Sequence, residues 1–181
     1  HRAEFDAAIA SVITDSAFIG GRFVSEFEAA FAESYGVRNV VSCANGTDAI
    51  YIVLRMLGVG PGDEVVTTAH SWISTSEVVS QCGAQVRFVD TDDYYHLDAT
   101  KLEAAISDRT RVVIPVHLYG QPADLDVISA ICRRRGVTLI EDCAQAHYAT
   151  LRGRRAGTIG LAATFSFYPG KNLGAYGDAG A

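Results

Sequence analysis

Segments with strand-like and helix-like spacing of apolar residues alternate along most of the chain, and this alternation restricts the possible folds more than any other feature. The segments expected to form strands are residues 39–43, 64–68, 85–89, 111–117, 137–141 and 162–167. The segments expected to form helices are residues 47–57, 73–82, 100–106 and 125–135. Ahead of them, Ser25 and Glu28 have the spacing of a capping box, which predicts a helix start there and a helix end at Gly36. Strands alternating with helices predict a mostly parallel sheet with helices on both faces.

Sheets of this kind bind their ligands outside the carboxyl ends of the strands. Polar and aromatic residues follow five of the expected strands, at residues 44–48, 69–72, 118–121, 142–145 and 168–171. We therefore expect a functional site on this rim of the sheet.

Composition excludes several classes of protein. The chain has 181 residues, 49% of them hydrophobic and 20% charged, which is typical of a globular protein that forms one domain with a buried core. Its net charge of -6 disfavours nucleic-acid binding, and the basic clusters at residues 133–135 and 152–155 are expected to be solvated. No apolar run approaches the roughly 20 residues of a membrane span, and the first residues lack the apolar core of a signal peptide.

The cysteines favour a reducing compartment. Cys43, Cys82, Cys132 and Cys143 show no Cys-x-x-Cys spacing and no histidine at zinc-finger distance. Free thiols are therefore expected rather than disulfides or a zinc site, and a cytoplasmic location is expected with them.

Lys171 is the residue with the clearest chemical meaning. It follows the apolar segment 162–167 and the breakers Pro169 and Gly170, and it opens a glycine-rich stretch. A lysine on a loop at a strand end suits a Schiff base with a carbonyl compound, but most lysines are simply solvated at the surface. Lys171 alone does not separate these two interpretations.

Other residues at strand ends add to this pattern, and each has an ordinary alternative. Gly46 and Thr47 open a helix after a strand, which suits a phosphate but also describes a common turn. Asp142 ends an apolar strand, where it either pairs with a cation or starts a turn by accepting backbone amides. Trp72, the single tryptophan, either stacks on a flat ligand or packs in the core or at the surface.

A metal site is disfavoured. Three histidines, His70, His117 and His147, also follow expected strands, but no two of them have the spacing of a metal-binding helix motif. A nicotinamide-binding fingerprint is missing as well, because only one glycine occupies the turn at residue 46.

Together these groups are what pyridoxal 5'-phosphate requires of a protein: a phosphate-binding helix start, a flat aromatic ring, an acid for the pyridine nitrogen and a lysine. Six strings carry a resemblance to a known family; they span residues 45–49, 60–64, 69–72, 115–122, 141–147 and 165–174. The chain resembles the DegT/DnrJ/StrS-type sugar aminotransferases, which depend on pyridoxal 5'-phosphate and have fold type I.

The resemblance implies an α/β fold, a three-layer sandwich with a mixed, mainly parallel sheet. It implies that Lys171 forms the Schiff base with the cofactor and that Asp142 pairs with the ring nitrogen. Trp72 would stack on the ring, Gln145 would approach its phenolic oxygen, and Ser166 would join Gly46 and Thr47 in holding the phosphate.

The resemblance also implies the reaction and the assembly. An amino group, with glutamate as the expected donor, would pass to a nucleotide-linked keto-deoxysugar, and a thymidine-diphosphate-linked 3-keto-6-deoxyhexose is the favoured substrate. A homodimer is expected. A sugar dehydratase of the same family is the nearest alternative, although Lys171 stands where those relatives carry histidine, and a regulatory protein that kept the fold is another.

The ends of the chain carry a further expectation. It begins with His1 rather than Met and stops at Ala181 within a glycine-rich stretch. We expect residues 1–181 to be the cofactor-binding large domain, truncated at its carboxyl end and lacking a small C-terminal domain, and therefore catalytically incomplete as a separate piece.

Overall fold

The computed structural model describes residues 1–181, which form two compact units, His1–Ser42 and Cys43–Ala181. No helix in either unit is both long enough and apolar enough to cross a lipid bilayer.

The first unit contains helices α1 (Arg2–Thr14) and α2 (Arg22–Tyr35). Helix α1 was not anticipated from the sequence. The predicted end of α2 is confirmed, because Gly36 adopts the left-handed conformation at φ 67° that glycine tolerates.

The capping box predicted at Ser25 is wrong. Helix α2 begins three residues earlier, so Ser25 lies inside it and its hydroxyl donates to the carbonyl of Gly21 at 3.2 Å. Glu28 does not reach back to the helix start; it accepts a hydrogen bond from the Ser42 amide at 2.7 Å. Glu28 therefore bonds to Ser42, 14 positions away, rather than to the nearby helix start that the sequence predicted.

The second unit is an α/β structure. Its helices are α3 (Gly46–Met56), α4 (Ser74–Gln81), α5 (Ala99–Ala105) and α6 (Leu125–Arg135), with a short 3-10 turn at Leu118–Gly120. Its strands are β1 (Glu64–Thr68), β2 (Gln85–Val89), β3 (Thr110–Ile114), β4 (Thr138–Asp142), β5 (Thr150–Leu151), β6 (Arg154–Arg155) and β7 (Ala162–Thr164). Every predicted helix after residue 45 is present within one or two residues of its expected ends.

Five of these strands form one sheet in the order β2-β1-β3-β4-β7, and all neighbouring pairs are parallel. Antiparallel pairing is limited to the β5-β6 hairpin and to isolated bridges, among them those that Cys43 and Ser166 make with Gly180. The predicted mixed, mainly parallel sheet is confirmed.

Successive residues of the central strands point to opposite faces of the sheet, and each face is covered by a pair of helices. Val66, Val113 and Leu139 pack with residues of α5 and α6. Val65, Val112 and Ile140 pack with residues of α3 and α4. This arrangement gives the three layers and explains why β1 is buried along its whole length.

Three predicted strands needed correction. Strand β3 ends at Ile114 rather than at residue 117, because Pro115 has no amide to donate and Val116 makes only an isolated bridge with Asp142. Residues 39–43 do not form a strand, because Cys43 makes a single bridge with Gly180 that no neighbouring residue extends. Strand β7 stops at Thr164 rather than at residue 167 because Phe165 and Phe167 pair with Ala181 and Ala179 instead of with β4.

The fold contains a fully buried carboxylate, Glu141, near the end of β4. It accepts hydrogen bonds from His117 Nε2 at 3.1 Å and from the amides of Gly157, Ile159 and Gly160, each at 2.7 Å. Burial acts to raise the pKa of Glu141, but the His117 bond and the amides outweigh it, so the pKa lies below its usual value of 4.5.

We predict that Glu141→Gln lowers the free energy of unfolding at pH 7 by about 3 kcal/mol, because one side of an amide cannot accept hydrogen bonds. Since folding lowers the pKa of Glu141, its contribution is present above pH 4.5 and is lost as the pH falls through the lower folded value. Urea unfolding of both proteins between pH 7 and pH 3 measures the difference.

The matched control is Glu103→Gln, which breaks an exposed ion pair with Arg134 and should change stability far less than Glu141→Gln does, because solvent screens the pair. Equal effects of the two substitutions, or a Glu141→Gln effect that grows as the pH falls, would show that Glu141 does not hold the fold in this way.

Candidate functional site

A cavity of about 720 Å³ opens at the carboxyl ends of the sheet strands. Its wall includes all seven residues proposed from the sequence: Gly46, Thr47, Trp72, Asp142, Gln145, Ser166 and Lys171. They come from the start of α3 and from the segments after β1, β4 and β7. The parallel sheet therefore brings together residues that are up to 125 positions apart.

The start of α3 forms one wall of this cavity. Asn45 caps the helix, its side-chain oxygen accepting from the Asp48 amide at 2.8 Å, which leaves other amides of the first turn without a partner inside the helix. Thr47 Oγ1 lies 2.7 Å from Ser74 Oγ. Free amides and hydroxyl groups at the positive end of a helix form a site for an anion.

Glycine is required at this wall for reasons of space. A Cβ atom on Gly46 would lie 2.7 Å from Ser166 Cβ, and one on Gly180 would lie 2.3 Å from the carbonyl carbon of Asn45. The helix start and the segment after β7 are therefore in direct backbone contact, which places Ser166 beside the amides of α3.

Asp142 lies on the cavity wall and is almost completely buried. Its carboxylate accepts hydrogen bonds from Thr75 Oγ1 at 2.8 Å and from the Ala144 amide at 3.1 Å. Burial raises the pKa of Asp142 in spite of these bonds and of the nearby His117 and Lys171. A cation brought into the cavity beside it would favour the ionised form.

The side chain of Gln145 is oriented by an unusual backbone conformation. Its Oε1 accepts from the Tyr119 amide at 2.7 Å, so its Nε2 group is the end left to donate. Tyr119 holds a φ of 58°, a left-handed conformation that is strained for an aromatic residue. Gln145 is thereby fixed as a hydrogen-bond donor at the cavity.

Trp72 does not belong to the core. Its side chain is 73% exposed and lines the cavity, which leaves a face of the indole ring available to a bound molecule. Contact between that face and a flat ligand would bury a large apolar area.

The two lysines of the chain are in contrasting environments. Lys101 is on the surface, paired with Asp98 at 3.1 Å and with Asp90 at 3.4 Å, and these bonds raise its pKa. Lys171 is half-buried, forms no salt bridge and lines the cavity. It also borders a second cavity of about 600 Å³. Its position argues against an ordinary solvated lysine.

The three histidines after the strands do not meet. His70 lies 3.3 Å from the Tyr119 hydroxyl, and His147 lies 2.8 Å from Asn172 Oδ1. His117, Glu141 and Cys143 come within 4.8 Å of one another. However, both ring nitrogens of His117 are already hydrogen-bonded, to Glu141 and to the Ala123 amide. This group is a structural network.

Comparison with known proteins agrees with the geometry of the cavity. The DegT/DnrJ/EryC1/StrS aminotransferase family model matches residues 1–181. The chain belongs to this family.

Two similar members of the family differ in the roles that their names assign. A pleiotropic regulatory protein of Geobacillus stearothermophilus is 47% identical over 93% of the chain and 46% of its own length. A dTDP-3-amino-3,4,6-trideoxy-alpha-D-glucose transaminase of Streptomyces venezuelae is 46% identical over 99% of the chain and 48% of its own length. The chain thus spans about half the length of the curated relatives it matches.

A solved structure of the family shows the same fold. The crystal structure of Streptomyces venezuelae DesV, in complex with a ketimine intermediate, superimposes with a TM-score of 0.95. It is 46% identical over 99% of this chain and 48% of that one.

Sequence reasoning missed several residues that support the lining of the cavity. Thr75 supports Asp142, Ser74 contacts Thr47, and the Tyr119 amide orients Gln145. The position of Ser74 and Thr75 at the start of a helix on the strand-end rim was an available signal. No local pattern marked Tyr119, because its left-handed backbone becomes apparent only in the folded unit.

We predict that Gly46→Ala destabilises the protein by about 1–3 kcal/mol, since the new methyl group would clash with Ser166. On helix propensity alone the same change would stabilise by about 1 kcal/mol, so the sign of the effect decides between the two. Chemical unfolding gives the free energies.

Gly177→Ala is the control, because a Cβ atom there meets nothing within 4 Å. It should leave stability within about 0.5 kcal/mol of the parent protein. A stabilised Gly46→Ala protein would show that α3 and Ser166 are not in the tight contact described here.

Proposed function

We propose that the protein is a pyridoxal 5'-phosphate-dependent aminotransferase that converts a nucleotide-linked keto-deoxysugar to an amino sugar. The observation that carries the proposal is the convergence of Lys171, buried Asp142 and the free start of α3 on one cavity. Membership of the aminotransferase family supports the same chemistry.

The residues of the cavity fit this cofactor. Its phosphate suits the amides of Gly46 and Thr47 and the hydroxyl of Ser166. Asp142 is a buried acid without a full charge partner, and a pyridinium nitrogen supplies the missing cation. The donor group of Gln145 suits the phenolic oxygen, and Trp72 suits the face of the ring.

Pyridoxal 5'-phosphate, when bound, supplies an aldehyde that captures amines and a ring that stabilises negative charge on the reacting carbon. With the cofactor bound, Lys171 would hold it through its Nζ atom. Once an incoming amine has taken the place of Nζ, the freed Lys171 amine would act as the base that takes a proton from the donor's α-carbon and delivers it to the cofactor carbon. Asp142 would keep the ring nitrogen protonated.

The finer assignments rest on the resemblance of the sequence to the family. Glutamate is the proposed amino donor. A thymidine-diphosphate-linked 3-keto-6-deoxyhexose is the proposed acceptor, in line with the name of the Streptomyces venezuelae relative. We further propose a homodimer located in the cytoplasm, and the four cysteines are all free, as a reducing compartment would require. Residues 1–181 are proposed to form the large domain of a longer enzyme.

Incubating the full-length enzyme, of which residues 1–181 are the proposed large domain, with the cofactor, glutamate and a panel of nucleotide-linked keto sugars tests the proposal. An acceptor that gains an amino group, seen by mass, is the expected result. The Geobacillus relative favours a second candidate, a regulatory protein. Cofactor binding without transfer to any acceptor would support that candidate.

We predict that Lys171→Ala abolishes amino transfer while the cofactor still binds without a covalent bond, because the chain's other lysine is ion-paired at the surface. Borohydride reduction followed by peptide mapping locates the labelled lysine. Lys101→Ala is the control and should keep both label and turnover. A label on residue 101, or turnover by Lys171→Ala, would refute the assignment.

We predict opposite effects of Asp142→Asn on activity and on stability. Turnover should fall by about a hundredfold or more, because an amide does not hold the proton on the ring nitrogen. Folding raises the pKa of Asp142, so its stabilising contribution is present below pH 3.8 and is lost as pH rises.

At pH 7, therefore, the cofactor-free Asn variant should be at least as stable as the parent protein. Steady-state kinetics and thermal unfolding measure the two effects. Near-normal turnover, or a loss of stability that explains the loss of rate, would make Asp142 a structural residue.

A further inference from the structure

The turn that carries Lys171 is fastened to a buried histidine that the proposed site does not use. His147 Nδ1 lies 2.8 Å from the side-chain oxygen of Asn172, the residue directly after Lys171. We propose that His147 is a positioning residue, which acts through Asn172 to hold the turn so that the Lys171 amine faces the cavity. The inference rests on the proposed role of Lys171.

The protonation of His147 follows from its partner. An amide oxygen only accepts hydrogen bonds, so the proton of the ring is on Nδ1. Burial lowers the pKa of His147 and the positive charge of Lys171 lowers it further, while the Asn172 bond and a smaller contribution from the Ser166 backbone offset this only in part. The ring is therefore neutral and adds no second charge beside the lysine.

The ring itself is held by the segment that leads into the turn. Its centre lies 5.7 Å from the ring centre of Phe165 and 5.2 Å from that of Phe167. Both phenylalanines directly follow β7, and the side chain of His147 is only 6% exposed. Asn172 is thus tied to a group that has little freedom to move.

Two backbone hydrogen bonds lie within the turn itself. The Lys171 amide donates to the Tyr168 carbonyl at 2.8 Å, and the Ala175 amide donates to the Phe167 carbonyl at 2.7 Å. These bonds shape the turn but do not fix it against the segment after β4. The bond between His147 and Asn172 spans 25 positions and makes that connection.

Stability alone does not account for a histidine at this position. Its Nε2 atom is buried without a hydrogen-bond partner, which is unfavourable for a polar atom. Leucine at position 147 would remove that atom and keep an apolar contact with the phenylalanines. The fold should therefore tolerate His147→Leu, and the substitution should instead slow the reaction of the Lys171 amine.

The chain offers a matched control for removal of a buried histidine. His96 is 2% exposed, its Nε2 atom is also unpartnered, and it lines neither cavity. His96→Leu reproduces the change in burial and polarity without touching the Lys171 turn.

The experiment measures how fast Lys171 is captured. Purified protein is mixed with pyridoxal 5'-phosphate and cyanoborohydride; the amine adds to the aldehyde carbon, water leaves, and hydride converts the new bond to a secondary amine. The rate and its dependence on cofactor concentration are followed by mass, and the thermal midpoint is measured without cofactor. The variants are His147→Leu, His147→Asn, Asn172→Ala and the double variant that combines His147→Leu with Asn172→Ala.

We expect His147→Leu and Asn172→Ala each to slow the capture of Lys171 at saturating cofactor by about tenfold, as misplacement of a reacting group does. Asn172 is an exposed residue. The double variant should be no slower than His147→Leu. His147→Asn, whose amide nitrogen can take the place of Nδ1, should recover most of the rate. Thermal midpoints of His147→Leu and His96→Leu should change alike, and His96→Leu should capture at the parent rate.

The inference is overturned if His147→Leu captures at the parent rate, if His96→Leu slows capture equally, or if the two single effects multiply in the double variant. Failure of the parent protein to become labelled at Lys171 would instead overturn the proposed function. The two failures are therefore distinguishable.

Discussion

Two adjacent carboxylates at the end of β4, Glu141 and Asp142, define the arrangement on which the site depends. Because successive residues of a strand face opposite sides of the sheet, they point into different layers. Glu141 lies on the side of α5 and α6, where His117 and three amides satisfy its charge. Asp142 lies on the side of α3 and α4, where only Thr75 and one amide reach it. One carboxylate stabilises the fold, and the other is left available to a ligand.

The pKa directions of these two acids express the same division. Both are buried, but the pKa of Glu141 lies below its usual value and that of Asp142 lies above it. Burial raises the pKa of both acids, and the donors that the fold supplies outweigh it for Glu141 but not for Asp142. A buried acid that the protein leaves without enough donors is a common feature of sites that bind a cation.

Close approach of backbone segments forms one wall of the cavity. Gly46 and Gly180 let the start of α3, the segment after β7 and the last residues of the chain come into direct contact. Ser166 is thereby held beside the amides of α3. At another part of the cavity lining, the backbone of Tyr119, which has a strained conformation, fixes the side-chain amide of Gln145. Polar groups are thus oriented before a ligand enters.

The sequence by itself determined the sheet, four of its helices and the seven residues that meet at the cavity. These features depend on the short-range periodicity of apolar residues and on the rule that parallel strands end on one rim of the sheet. Local sequence patterns are enough to apply both. What the sequence misplaced depended on distant partners. Glu28 bonds to Ser42 rather than to its own helix start, and β7 ends early because Phe165 and Phe167 pair with the last residues.

Only the tertiary structure decided which groups support the site. Thr75, the Tyr119 amide and His147 act on residues between 25 and 67 positions away, so no local pattern could connect them. The unequal treatment of Glu141 and Asp142 likewise required knowing which amides lie on each side of β4. Local sequence determines the helix, strand or loop on which each side chain lies. Burial and hydrogen bonding between distant segments determine the charge and orientation of that side chain.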